Sequence, residues 1–73
     1  MENELKLGLY RHFKGNNYEV LAVAIHTETN EKMVVYKALY GDGGVFVRPL
    51  DMFTETVEAN GKRVNRFTYI GEN

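Results

Sequence analysis

The chain has 73 residues, with 9 Lys and Arg against 10 Asp and Glu, a net charge of −1 and no cysteine. Without cysteine, disulfides and thiolate metal sites are excluded. The balanced charge also lacks the basic excess from which nucleic-acid binders draw phosphate affinity.

This length makes a single domain over residues 1–73, able to bury only about 60% of the surface its unfolded chain exposes. The charged opening Met-Glu-Asn-Glu-Leu-Lys-Leu has no apolar segment of the kind a leader or anchor needs. No uninterrupted apolar run nears the roughly 20 residues that span a bilayer. The expectation is a cytoplasmic protein with no membrane association, with residues 1–7 as a loosely packed tail.

In chain order, Gly8 to Phe13 alternates in character and predicts a strand. Leu9, Arg11 and Phe13 share one side, with Phe13 as core anchor and Arg11 as the misfit. Tyr10, His12 and Lys14 share the other side, expected to face outward. Gly15-Asn16-Asn17 reads as a turn. Tyr18 to Thr27, rich in Val, Ile, Leu and Ala, predicts a long strand, and Met33 to Tyr40 another, with a turn at Thr29-Asn30 between them. A two-residue turn there sets Ala24 opposite Val35 and Ala22 opposite Lys37. Leu21, Val23, Ile25, Val34, Tyr36 and Ala38 then form the core face. Val20, Ala22, Ala24 and His26 form the second, shallow face.

Gly41-Asp42-Gly43-Gly44 is the strongest turn signal, and a short strand, Val45 to Arg48, follows it. Pro49 suits the first position of a helical turn. Leu50, Phe53 and Val57 recur at helical spacing, so helix is expected from Pro49 to about Thr56. Asn60-Gly61 is a further turn, and Phe67 to Ile70 closes the chain as a strand. Short strands, Gly/Asn turns and one helical turn before the last strand predict a mostly β fold, a small SH3-like barrel. An OB-type barrel is the second choice.

The assembled motifs are Tyr-Arg-His-Phe-Lys-Gly-Asn at Tyr10, Tyr-Glu-Val-Leu at Tyr18, His-Thr-Glu-Thr at His26 and Met-Val-Val-Tyr at Met33. With Ala-Leu-Tyr-Gly-Asp at Ala38, Arg-Pro-Leu at Arg48 and Met-Phe at Met52, the chain resembles a small bacterial family, domain of unknown function 1653. The resemblance covers about Gly8 to Ile70. It implies a bacterial, soluble, mostly β domain of this length and implies no activity. That family is expected to carry proline before Arg66, where this chain has Asn65.

The residues narrow the chemistry further. Zinc takes four ligands, and the chain offers only His12 and His26 with carboxylates such as Glu28. No spacing forces those three to converge, so no metal and no cofactor is expected. The sequence has no serine and no cysteine, which leaves only histidine–carboxylate acid–base chemistry by His12 or His26 with Glu28, a distant third reading as a hydrolase. Gly41 to Gly44 lacks the lysine and following helix of a phosphate-binding loop and reads as a hairpin turn.

Five tyrosines in so short a chain suit an aromatic groove for an extended peptide. Aromatics interleaved with Lys14 and Arg48 also suit single-stranded nucleic acid or RNA, the second reading. The ligand-binding candidates are Tyr10, His12, Lys14, His26, Glu28, Tyr36, Tyr40 and Arg48. Arg48 either anchors a carboxylate such as Glu19 or Asp51, or faces outward toward an anionic ligand. The partner expected first is a protein or peptide, and the chain is expected as a monomer or small homo-oligomer.

Overall fold

The computed structural model describes residues 5–72. They form strands β1 (Gly8–His12), β2 (Asn17–Ile25), β3 (Lys32–Ala38) and β4 (Val45–Pro49), a helical turn α1 (Leu50–Phe53), and strands β5 (Thr56–Ala59), β6 (Lys62–Asn65) and β7 (Phe67–Gly71). The fold is mostly β, as expected. One antiparallel sheet runs in the order β4-β3-β2-β1-β7, and β5 and β6 form a separate hairpin. The sheet is not closed into a barrel, because β4 and β7 are both edges. The β5–β6 hairpin adds two strands to the five expected. Its turn, Asn60 and Gly61 with φ of 54° and 78°, is the one expected from sequence.

The core lies on one face of the sheet, under α1. Its buried members are Tyr10, Val20, Val34, Tyr36, Ala38, Phe53 and Phe67. Aromatic rings fill most of this volume, which suits a chain too short to stack two layers of aliphatic side chains. Phe53 from α1 stacks flat on Phe67, with centroids 4.0 Å apart. Its ring also meets Tyr10 and Tyr36 edge-on, at 5.5 and 5.4 Å. Helix is confined to Leu50–Phe53, shorter than expected. Thr54 ends it by donating both its N–H and its hydroxyl to Leu50 O, and Val57 belongs to β5.

Three expectations of side-chain placement are corrected. In β1 the faces are reversed. Tyr10 is 4% exposed and pairs across the sheet with Tyr18 and Tyr69, whereas Leu9 and Arg11 lie on the opposite side with Glu19 and Asn17. Arg11 ceases to be a misfit, because its Nε donates to Asn17 Oδ1 at 3.3 Å on an exposed surface.

The β2–β3 register also differs: Ala24 faces Met33, Ala22 faces Val35, and Lys37 faces Glu19, an opposite charge. The connecting loop is longer than two residues. His26 N–H bonds Glu31 O, and Asn30 N–H returns to His26 O.

Finally, β2 carries a bulge between Val20 and Ala22. The extra residue, Leu21, moves out of the core to 40% exposure, and Val20 moves in at 2%. Val23 and Ile25 keep the predicted face but stay exposed near the open end of the sheet.

Gly8 shows why one position near the start of the sheet must lack a side chain. Its φ is +131°, and a Cβ there would sit 2.6 Å from Gly71 O. Upstream, Leu5 packs against the core and the Lys6 ammonium lies 5.1 Å from the Tyr69 ring centroid. Of the tail expected over 1–7, residues 1–4 lie outside the described residues.

Candidate functional site

The two histidines sit in matching local structures at opposite ends of the sheet. His12 closes the β1–β2 turn: its N–H bonds Asn16 O, and Gly15 N–H bonds its carbonyl. Its Nδ1 accepts the N–H of Lys14 at 3.2 Å. At the β2–β3 loop, His26 Nδ1 accepts the N–H of Glu28 at 3.2 Å. The nine residues of β2 separate the two turns, a span of roughly 25–30 Å at about 3.3 Å per residue. His12, His26 and Glu28 therefore do not share a site. The histidine–carboxylate hydrolase and the shared metal site both required that convergence. Each imidazole serves its own turn, accepting a backbone N–H that the turn would otherwise leave bare.

Tyr36, Tyr40 and Arg48 do gather, on the core face of the sheet toward the β4 edge. Tyr18 is their hub. Its ring makes edge contacts with His12 at 6.2 Å, Tyr36 at 5.4 Å, Tyr40 at 5.5 Å and Phe67 at 5.5 Å. Its hydroxyl shares a 2.6 Å hydrogen bond with that of Tyr40. Burial, then the bond to Tyr40, pushes the Tyr18 pKa up to about 12, so the hydroxyl stays protonated at neutral pH. Tyr36 is buried in the floor, and its hydroxyl accepts Arg48 Nε at 3.3 Å. Tyr40 is 47% exposed at the rim.

Arg48 is half-buried and opposite Val34 in the ladder. That places it on the core face, whereas Glu19 lies on the other. Among the described residues no carboxylate pairs with it, so neither Glu19 nor Asp51 anchors it.

His12 borders this cluster, its ring against Phe13 at 4.6 Å and Phe67 at 4.9 Å. Burial holds its pKa below the usual histidine value, and the charges of Arg66, Lys14 and Arg48 lower it further. The imidazole is thus neutral at pH 7, with its remaining ring nitrogen carrying the proton. Three cations around one neutral histidine mark a positive locus over an aromatic floor. Lys14 is exposed, its ammonium 5.8 Å from the Phe13 ring centroid.

Tyr10 is remote from this rim. Its hydroxyl donates to Lys6 O at 2.7 Å, and burial, then Tyr69, raises its pKa. It supports the core and cannot meet a ligand without disrupting it.

Besides Tyr18, two more residues absent from the sequence-based candidates belong here. Phe46, 49% exposed, lies 5.9 Å from Tyr36 on the same face of the adjoining strand. Its even spacing from Arg48 was the available signal. Arg66 pairs with Glu55, bonds Glu55 O through its backbone N–H, and keeps a buried Nε with no partner. It ties the β5–β6 hairpin to the site.

A separate cleft of about 230 Å³ is lined by Glu31, Lys32, Pro49, Leu50 and Asp51. It is smaller than the roughly 300–1,000 Å³ of ordinary small-molecule pockets, and it holds none of the gathered aromatics. Among the described residues no helix is long and apolar enough to cross a membrane, and no three metal-ligating side chains cluster.

The arrangement offers exposed aromatic edges, tyrosine hydroxyls and a guanidinium that no carboxylate among the described residues pairs.

A family model described as a protein of unknown function (DUF1653) matches residues 8–69. The chain is also similar to the crystal structure of a protein belonging to DUF1653 from Bordetella bronchiseptica. The two share 36% identity and a TM-score of 0.89, over 100% of this chain and 96% of that one. No curated protein matches the chain.

Proposed function

The chain belongs to the DUF1653 family, and on that footing we propose that it is a cytoplasmic, non-enzymatic binding module for an extended protein or peptide segment. The contact surface is the rim formed by Tyr40, Arg48 and Phe46 over Tyr18 and Tyr36. One observation carries the reading: Arg48 is half-buried on a tyrosine floor with no carboxylate of its own among the described residues. A guanidinium held this way is ready to take a carboxylate from outside. The exposed Tyr40 and Phe46 rings offer apolar area at low conformational cost. An aromatic-lined face on short antiparallel strands is also how SH3-like modules take extended peptides.

Nucleic acid is the weaker reading because only part of the positive charge stands unpaired over the aromatics. Arg66 is paired with Glu55, and Arg11 and Lys37 lie on the opposite sheet face. The test is to pan a displayed random peptide library on the immobilised domain, with single-stranded DNA and RNA pools in parallel. Enrichment of acidic, aromatic peptides whose binding survives added salt supports the reading. Enrichment of oligonucleotides alone, with affinity falling steeply as salt rises, would replace it.

A further inference from the structure

The β4 edge of the sheet carries backbone groups that face away from β3. In the β3–β4 ladder Ala38 N–H bonds Gly44 O at 2.9 Å. With Tyr36 opposite Phe46 and Val34 opposite Arg48, the even-numbered residues of β4 therefore spend their backbone groups on β3. The N–H and C=O groups of Val45 and Val47 point the other way, off the sheet. Among the described residues no strand lies beyond them. Their side chains are 57% and 60% exposed.

Edge strands of stable monomers are blunted by charge, bulges or proline. Val45-Phe46-Val47 has none of these. Pro49 falls at an outward-facing position, so it ends the edge without costing the internal ladder a bond. The opposite edge is different. The ladder between β1 and β7 is irregular at Leu9/Tyr10, and β7 ends in Gly71 at φ +146°.

We propose that two copies of this chain join through antiparallel pairing of β4 with β4, about a twofold axis at Phe46. That register alone satisfies all the outward groups of Val45 and Val47, because Val45 of each copy meets Val47 of the other. An axis at Val47 would instead set Val45 against Pro49, which has no N–H to give. In the Phe46 register the two Phe46 residues oppose each other as a non-hydrogen-bonded pair, Cα atoms about 4.5 Å apart.

Val45 and Val47 form two β-branched cross-strand pairs on the back face. Arg48 of each copy lies opposite Gly44 of the other, so like charges do not meet. The ring of Phe46 already covers Gly44, a Cβ on which would come within 3.0 Å of it, and the incoming Arg48 is placed beside that ring. The joined sheet makes the two aromatic rims continuous. The pairing is small, in the class below about 1,200 Å² that associates weakly, so the dimer forms at high protein concentration.

The test is sedimentation of the full chain into the millimolar range, with two double variants whose folding is checked by circular dichroism. Val45→Lys with Val47→Lys sets lysine against lysine and weakens association by about tenfold or more. Val45→Lys with Val47→Glu sets lysine against glutamate and stays within about threefold of the natural chain. Amide exchange of Val45 and Val47 in the natural chain gives an independent reading, slowing as concentration rises. A monomer at every concentration, a lysine–lysine variant that associates like the natural chain, or concentration-independent exchange at both amides would each overturn the proposal.

Discussion

Replacing Phe53 is the sharpest probe of how this fold holds its candidate site. The ring is 1% exposed. It is the fully buried side chain of α1, stacked on Phe67 and edge-on to Tyr10 and Tyr36. Buried Phe→Ala substitutions cost about 3–5 kcal/mol, transfer and cavity terms together. The aromatic contacts, about 0.5–1.5 kcal/mol per pair beyond area, put Phe53→Ala at the upper end.

A domain of 73 residues has a total stability of about 4–11 kcal/mol at ordinary values per residue. At about 5 kcal/mol, Phe53→Ala therefore removes from nearly half to all of that stability. Phe53→Leu keeps most of the apolar volume and loses mainly ring geometry, so it costs about 1–2 kcal/mol. Urea unfolding followed by circular dichroism measures both, with the slope checked for a common unfolded state. A loss below about 1.5 kcal/mol for the alanine variant, at unchanged slope, would refute the claim that this ring closes the core.

Other outcomes follow from the same geometry. Gly8→Ala should cost several kcal/mol, because its Cβ meets backbone at 2.6 Å; Gly61→Ala, also at positive φ but with open space around it, should cost only about 1 kcal/mol. Equal losses would contradict this. The raised Tyr18 pKa means the folded state holds that proton more tightly than the unfolded chain. Its contribution is complete below about pH 10 and is lost as pH rises toward about 12. Tyr18→Phe should flatten that alkaline decline in a stability-versus-pH series.

For His12 the sign is opposite. A depressed folded pKa gives stability that is present above the unfolded value of about 6.5 and is lost as pH falls through the folded one. NMR titration of the His12 ring should place its midpoint below about 6.5, and a midpoint above that value would count against the positive locus.

Much of the fold was legible from the residues. Each expected turn falls where glycine or asparagine takes positive φ, at Gly15, Asn30, Gly41, Gly43, Asn60 and Gly61. Pro49 does mark the start of the helical turn. In β1 the alternation alone allows either face inward. Arg11 was the clue, since a charge on the core side is costly, and the reversed assignment removes it.

The bulge at Leu21 left no local signal, because Leu, Val and Ala are interchangeable in a hydrophobic run. Only the demand that Val20 and Val23 meet Tyr36 and Val34 on one face selects it. The β5–β6 hairpin was hidden because its strands are four residues each and largely exposed. Of the candidate site, Tyr36, Tyr40, Arg48 and His12 converge through long-range pairing that no spacing reveals. The same pairing sends His26 and Glu28 to the far end.

The central claim is that Arg48 and Tyr40 form the contact surface, and it is tested most directly by one comparison. The affinity of a library-selected peptide is measured by calorimetry for the natural chain and for Arg48→Met with Tyr40→Ala. Methionine keeps the aliphatic packing of arginine, and Tyr40 is exposed, so the variant folds. A loss of about a hundredfold or more is predicted, on the scale of one charge-assisted bond and one aromatic contact. Unchanged affinity in the folded variant would contradict the account.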